Sequence, residues 1–208
     1  MPAQIWYPIL IVTATLSLPV LALALLGSKA ARFEAMVRRQ STVIAWFSTT
    51  VGVTVAWIVV AIVLVQFTVV VMRYVFGVNF IALQETVLYG HALIFMLASA
   101  HTLVQGGHVR VDIVYANLGP RGKAWVDLLG TVFFLIPLML LILNTSWDYV
   151  AISWRNLETS RESSGLQWVY LLKSVILIFA AMMLLQGIGL AGRASLVLAR
   201  LDDAEEAS

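Results

Sequence analysis

The chain has 208 residues, 61% of them hydrophobic and 12% charged, with a formal net charge of +2 and no cysteine. Soluble domains carry about 25% charged residues, so this composition departs far from theirs. The missing thiols exclude disulfides, thiolate metal sites and thiol catalysis, and the basic residues flank apolar runs instead of forming a patch for nucleic acid.

Five uncharged runs follow one another: Ile5–Leu26, a stretch within Gln40–Met72, Thr86–Val109, Leu128–Trp147 and Ser174–Gly192. A helix of roughly 20 apolar residues, rising about 1.5 Å each, crosses a hydrocarbon core of about 30 Å. The pattern predicts an all-α integral membrane protein. Its longest connectors, around Arg110–Lys123 and Tyr149–Gln167, are too short to form a separate domain.

Residues 1–30 form an extra N-terminal transmembrane segment in this reading. A cleaved signal peptide is the competing one, because Ser28-Lys29-Ala30 offers a small-x-small site. Against it, no basic residue precedes the apolar run. Residues 31–195 make the membrane domain, with spans at about 51–72, 83–105, 125–147 and 168–192, and residues 196–208 an acidic, solvated tail. Before the first of these spans, Phe33, Val37, Ile44, Phe47 and Val51 recur near helical spacing while Arg32, Arg39, Ser41, Thr42 and Thr49 fall largely elsewhere. Two readings fit: an interfacial helix lying in the headgroups before the chain turns inward, or one steeply tilted helix.

Positive residues favour cytoplasmic ends of spans. With the N-terminus periplasmic, Lys29, Arg32, Arg38, Arg39, Arg110, Arg121, Lys123, Arg193 and Arg200 fall inside, against Arg73, Arg155, Arg161 and Lys173 outside. The C-terminus is then cytoplasmic. Trp147, Tyr149, Trp154, Trp168 and Tyr170 bracket the last outer loop as an interfacial belt would. Pro120 follows the turn signal Asn117-Leu118-Gly119, and Pro137 lies mid-span, where a kink is expected.

Polar residues inside lipid need partners. Glu85 stands near the outer start of its span, twelve residues after Arg73 and across a connector containing Gly77. A salt bridge or shared network pinning two helices is the simplest account, with an ion-coupling carboxylate as the alternative. His91 and His101 share one helix about 15 Å apart along its axis, which rules out two-histidine haem ligation within the chain. Interhelical hydrogen bonding suits them better. Gly106-Gly107-His108-Val109-Arg110-Val111-Asp112 ends the same span with paired glycines, then alternates polar and apolar residues; Arg110 and Asp112 could tie this loop to a partner or to each other. Lys173 either snorkels to the interface or pairs with Glu158 or Glu162. The Gly187-x-x-x-Ala191 step offers a face for close helix packing.

In order, Arg73-Tyr74-Val75-Phe76-Gly77, Leu83-Gln84-Glu85 and Gly107-His108-Val109-Arg110-Val111-Asp112 resemble the DctQ-type small membrane subunit of TRAP (tripartite ATP-independent periplasmic) transporters. Trp154, Glu158, Ser160, Gly165 and Leu171-Leu172-Lys173 resemble the subgroup labelled for mannitol and chloroaromatic compounds. The resemblance spans about residues 38–191. It implies a four-helix bundle, here with one extra N-terminal hydrophobic helix, in the bacterial inner membrane. The implied role is non-enzymatic: to steady a large membrane subunit that takes up an organic acid delivered by a periplasmic substrate-binding protein. The partners are that large subunit, the binding protein and membrane lipids. No cofactor is expected on this chain, and the sodium ions are implied for the large subunit. Arg73, Glu85, His108, Arg110, Asp112 and Lys173 are the structural or interface candidates. Neither a nucleotide-binding loop nor a nucleophile–base pair nor a cluster of intramembrane carboxylates is evident, which agrees with an accessory subunit.

Overall fold

The computed structural model describes residues 31–107 and 115–206. The expected N-terminal span Ile5–Leu26 lies outside the described residues, as do His108, Arg110 and Asp112. Within the described residues the regular structure is helical: α1 (Ala31–Tyr74), α2 (Ile81–Val104), α3 (Pro120–Gly130), a π turn (Thr131–Leu135), α4 (Ile136–Arg155) and α5 (Val169–Glu206). Among the described residues, four helical stretches are long and apolar enough to cross a membrane: Glu34–Tyr74, Ile81–Val104, Pro120–Arg155 and Val169–Leu201.

The interfacial helix does not form as a separate element. Residues 31–74 are one uninterrupted helix, and at about 1.5 Å per residue its 44 residues extend about 66 Å, twice a hydrocarbon core. The reason is local. The segment contains no proline and a single glycine, so nothing releases the backbone at the junction between the amphipathic opening and the apolar span. Its hydroxyls fold back on the helix: Thr42, Thr54 and Thr68 donate to the carbonyls of Arg38, Thr50 and Leu64. A polar side chain is thereby satisfied without any neighbour.

The other boundaries follow from chain chemistry. After α1, Gly77 takes φ +68° and the Val78 amide returns to the Met72 carbonyl. After α2, Gly106 takes φ +66°, a left-handed conformation that glycine adopts without a Cβ penalty. Pro120 opens α3 at its first position, where the missing N–H costs nothing. Just before Pro137, where a kink is expected, the helix carries the π turn. Proline cannot donate to the carbonyl of Phe133, and the Ile136 amide bonds to Thr131 five residues back.

Two compact units are built from these helices. One lies within residues Met1–Phe47, Gly106–Leu140 and Met183–Ser208; the other comprises Ser48–Gln105 and Leu141–Met182. In the first, Val37 of α1, Ala124 and Leu128 of α3, and Ile188, Ala191, Ala194 and Leu198 of α5 make one buried cluster, with Val132 and Ile136 packed against it. Small residues on α5 set the spacing. A Cβ at Gly187 would stand 2.9 Å from Leu135, and one at Gly189 3.4 Å from Ile44. The neighbour anticipated for the Gly187–Ala191 face is thus the π turn of the same chain. Helix α5 also runs on to Glu206, so residues 196–206 of the expected tail continue the last helix.

In the second unit, α1 and α2 approach at two glycines. A Cβ on Gly52 would lie 2.5 Å from the His101 Cβ, and one on Gly90 2.6 Å from Ile62 Cγ1. These contacts set α1 and α2 in antiparallel register. Much of what remains faces outward: Val53, Trp57, Val60, Leu64 and Phe67 form an exposed apolar stripe along α1. Surface of this kind is what acyl chains or a partner helix would cover.

Candidate functional site

Glu85, Ser160, Glu158, Lys173 and Ser174 gather polar groups of the second unit around the loop between α4 and α5. The loop begins with a strained cap. Leu157 has φ +44°, its amide bonds to the Trp154 carbonyl, and the Glu158 amide bonds to that of Ser153. This is the Schellman arrangement, with leucine where glycine is usual. It aims Glu158 back toward the start of α5. There the Lys173 ammonium donates to Glu158 Oε2 at 2.5 Å and lies 4.0 Å from the centre of the Tyr149 ring. Its side chain is only 15% exposed, so pairing rather than snorkelling describes it. The Lys173 hydrogen bond holds the Glu158 carboxyl below the ordinary carboxylate range.

The same helix ends share an aromatic contact. Trp154 packs edge-on to Tyr170 at 4.7 Å between ring centres, and its indole N–H donates to Ser174 Oγ at 2.7 Å. The Ser174 hydroxyl in turn donates to the Tyr170 carbonyl.

Glu85 holds the far side of the loop. One carboxylate oxygen accepts the Leu166 amide at 2.6 Å, and the other accepts the Ser160 hydroxyl. The loop closes on itself through the Ser160 amide to the Leu166 carbonyl and the Gly165 amide to the Glu162 carbonyl. Gly165 leaves the room this needs, since a Cβ there would stand 2.7 Å from Glu85 Oε2 and strike Ser160. One turn along α2, the Tyr89 hydroxyl is buried without a hydrogen-bond partner among the described residues.

The expected Arg73–Glu85 pairing does not form. Arg73 is exposed and makes no ion pair among the described residues, and the donors that the Glu85 carboxylate meets come from the α4–α5 loop. The histidines also depart from the expectation of hydrogen-bonded interhelical groups. His101 packs against Gly52 with Nδ1 buried and unpartnered, and His91 is exposed. Nothing in the sequence marks Ser160 and Leu166 themselves as partners of Glu85. Gly165 was the available signal for Ser160's close approach, whereas the Leu166 donor is a backbone amide that residue type does not reveal. Among the described residues, no group of three or more His, Asp or Glu could hold a metal ion.

This arrangement ties α2, the α4–α5 loop and the start of α5 together with hydrogen bonds. Residues 62–195 match the family described as tripartite ATP-independent periplasmic transporters, DctQ component. The chain belongs to that family, the small permease component of TRAP transporters, and is accordingly a multi-pass membrane protein of a transport system. The match is to the family at large and carries no substrate subgroup. No curated protein and no solved structure matches the chain.

Proposed function

We propose that this chain is a non-catalytic scaffold subunit of a sodium-coupled uptake system in the bacterial inner membrane. It would brace the large membrane subunit while that subunit moves an organic acid received from a periplasmic binding protein. The observation that supports this reading most directly is the fate of Glu85. The carboxylate best placed for ion coupling is committed to two donors of the α4–α5 loop. Such a group ties α2 to that loop and leaves coupling to another subunit. Sodium ions belong, in this reading, to the large subunit, and no cofactor is assigned to this chain. The charge bias of the sequence supports a cytoplasmic C-terminus.

A redox anchor fits less well. His91 and His101 lie on one helix, the first directed outward and the second packed on Gly52, so they cannot face one iron. A homo-oligomeric channel would need a polar path that the engaged Glu85 does not supply.

Reconstitution separates these readings. Proteoliposomes containing this chain alone should neither accumulate organic acid nor conduct ions. Uptake should require the large subunit and the binding protein as well, and removing this chain should abolish it. Full uptake in its absence would refute the scaffold role.

A further inference from the structure

Helices α1 and α2 enclose a cleft of about 210 Å3, lined by Val59, Ile62, Val63 and Gln66 from α1 and by His91 and Ile94 from α2. Gln66 lies eight residues before the end of α1 and His91 ten residues after the start of α2, about 12 and 15 Å along their axes. Both positions fall within the apolar stretch of a span. Both side chains are exposed, and neither has a hydrogen-bond partner among the described residues. The contrast with their neighbours is sharp. Thr54 and Thr68 on α1, and Thr86 and Thr102 on α2, return their hydroxyls to their own backbones. A glutamine amide and an imidazole each bring both a donor and an acceptor, and here none is used.

Acyl chains cannot answer these groups, and an amide left bare in hydrocarbon is costly. Exposed Phe67 beside Gln66, and Phe95 one turn from His91, add large apolar surfaces on either side of the cleft. We propose that the cleft seats a transmembrane helix of the large membrane subunit that presents hydrogen-bonding side chains to Gln66 and His91. This rests on the scaffold reading above and names the surface that serves it. Two side chains that each offer a donor and an acceptor in one cleft call for a helix carrying polar groups of its own, and the family is one part of a multi-component transporter. A partner of different sequence is therefore the occupant.

The test uses the complete transporter in membranes. A photo-crosslinking amino acid at Val63, which lines the cleft and is exposed, should join this chain to the large subunit. Gln66→Leu and His91→Leu should each lower recovery of the large subunit about threefold in mild detergent, and together roughly tenfold, as membrane interhelical hydrogen bonds of ordinary strength predict. The same variants should leave the isolated chain as heat-stable as before or more so, since leucine suits lipid better than glutamine does. Crosslinking only to lipid, crosslinking to a second copy of this chain, or full recovery with the double variant would each overturn the proposal. Failure of the unsubstituted chain to bring down any large membrane protein would overturn the scaffold reading, and this docking site with it.

Discussion

The Glu85 carboxylate accepts the Leu166 amide at 2.6 Å across 81 residues of sequence. Together with the Ser160 hydroxyl it makes Glu85 the one side chain of α2 that grips the α4–α5 loop from both of its carboxylate oxygens. Removing the acceptor leaves a part-buried amide and hydroxyl without their partner. Glu85→Ala should therefore destabilise the protein by about 1–3 kcal/mol, with Glu85→Gln intermediate because it keeps one acceptor oxygen. Unfolding in detergent measures the loss. Hydrogen exchange at Leu166 should quicken in parallel.

Arg73 provides the control. Since it makes no ion pair among the described residues, Arg73→Ala should change the stability of the isolated chain by no more than about 0.5 kcal/mol. A swap of Arg73→Glu with Glu85→Arg should be no more stable than Glu85→Arg alone. Rescue by the swap would show that the two residues pair directly after all.

The Glu158–Lys173 pair predicts a pH dependence. Glu158 titrates below its ordinary value of about 4.3 because Lys173 donates to it. A carboxyl with a depressed folded pKa stabilises the fold above its unfolded pKa, and that contribution fades as pH falls through the folded one. The pair should thus be intact at neutral pH and through mild acid. It should open only below the ordinary carboxylate range. NMR titration of the Glu158 carboxyl follows this directly, and Lys173→Met should return the titration toward the ordinary value.

The glycines between α1 and α2 should differ in tolerance. At Gly52 a new methyl meets the Cβ of His101, an atom fixed to the backbone, whereas at Gly90 it meets the outer atoms of the Ile62 side chain, which can rotate away. Gly52→Ala should cost about 1–3 kcal/mol, the usual penalty of overpacking, and Gly90→Ala less. Thermal unfolding of the two variants in one detergent compares them. Equal penalties would mean that the helices separate as rigid bodies.

Residues such as Arg73, Gly77 and Gly107 announced the family, and the long uncharged runs announced the spans. Glu85 and Lys173 were recognisable as residues needing partners, and Glu158 was one of two named for Lys173. The partners of Glu85 were not legible. A carboxylate advertises a need without saying which of several donors will come within reach, and here nearby Arg73 lost to Ser160 and a backbone amide. His91 shows the converse. Its position on a span was plain, but its outward direction depends on how α2 turns its face to α1.

What the sequence by itself determined is the solvent. Lipid leaves the backbone only helix or a closed barrel, and continuous apolar runs of about 20 residues select helix over the short alternating strands of a barrel; the absence of proline between residues 31 and 74 carries α1 through without a break. Only the tertiary structure decided which polar atoms meet. Hydropathy acts residue by residue along the chain, whereas a hydrogen bond between distant segments exists only when two groups arrive within about 3 Å of each other, and at the α4–α5 loop the missing side chain of Gly165 leaves room for that approach.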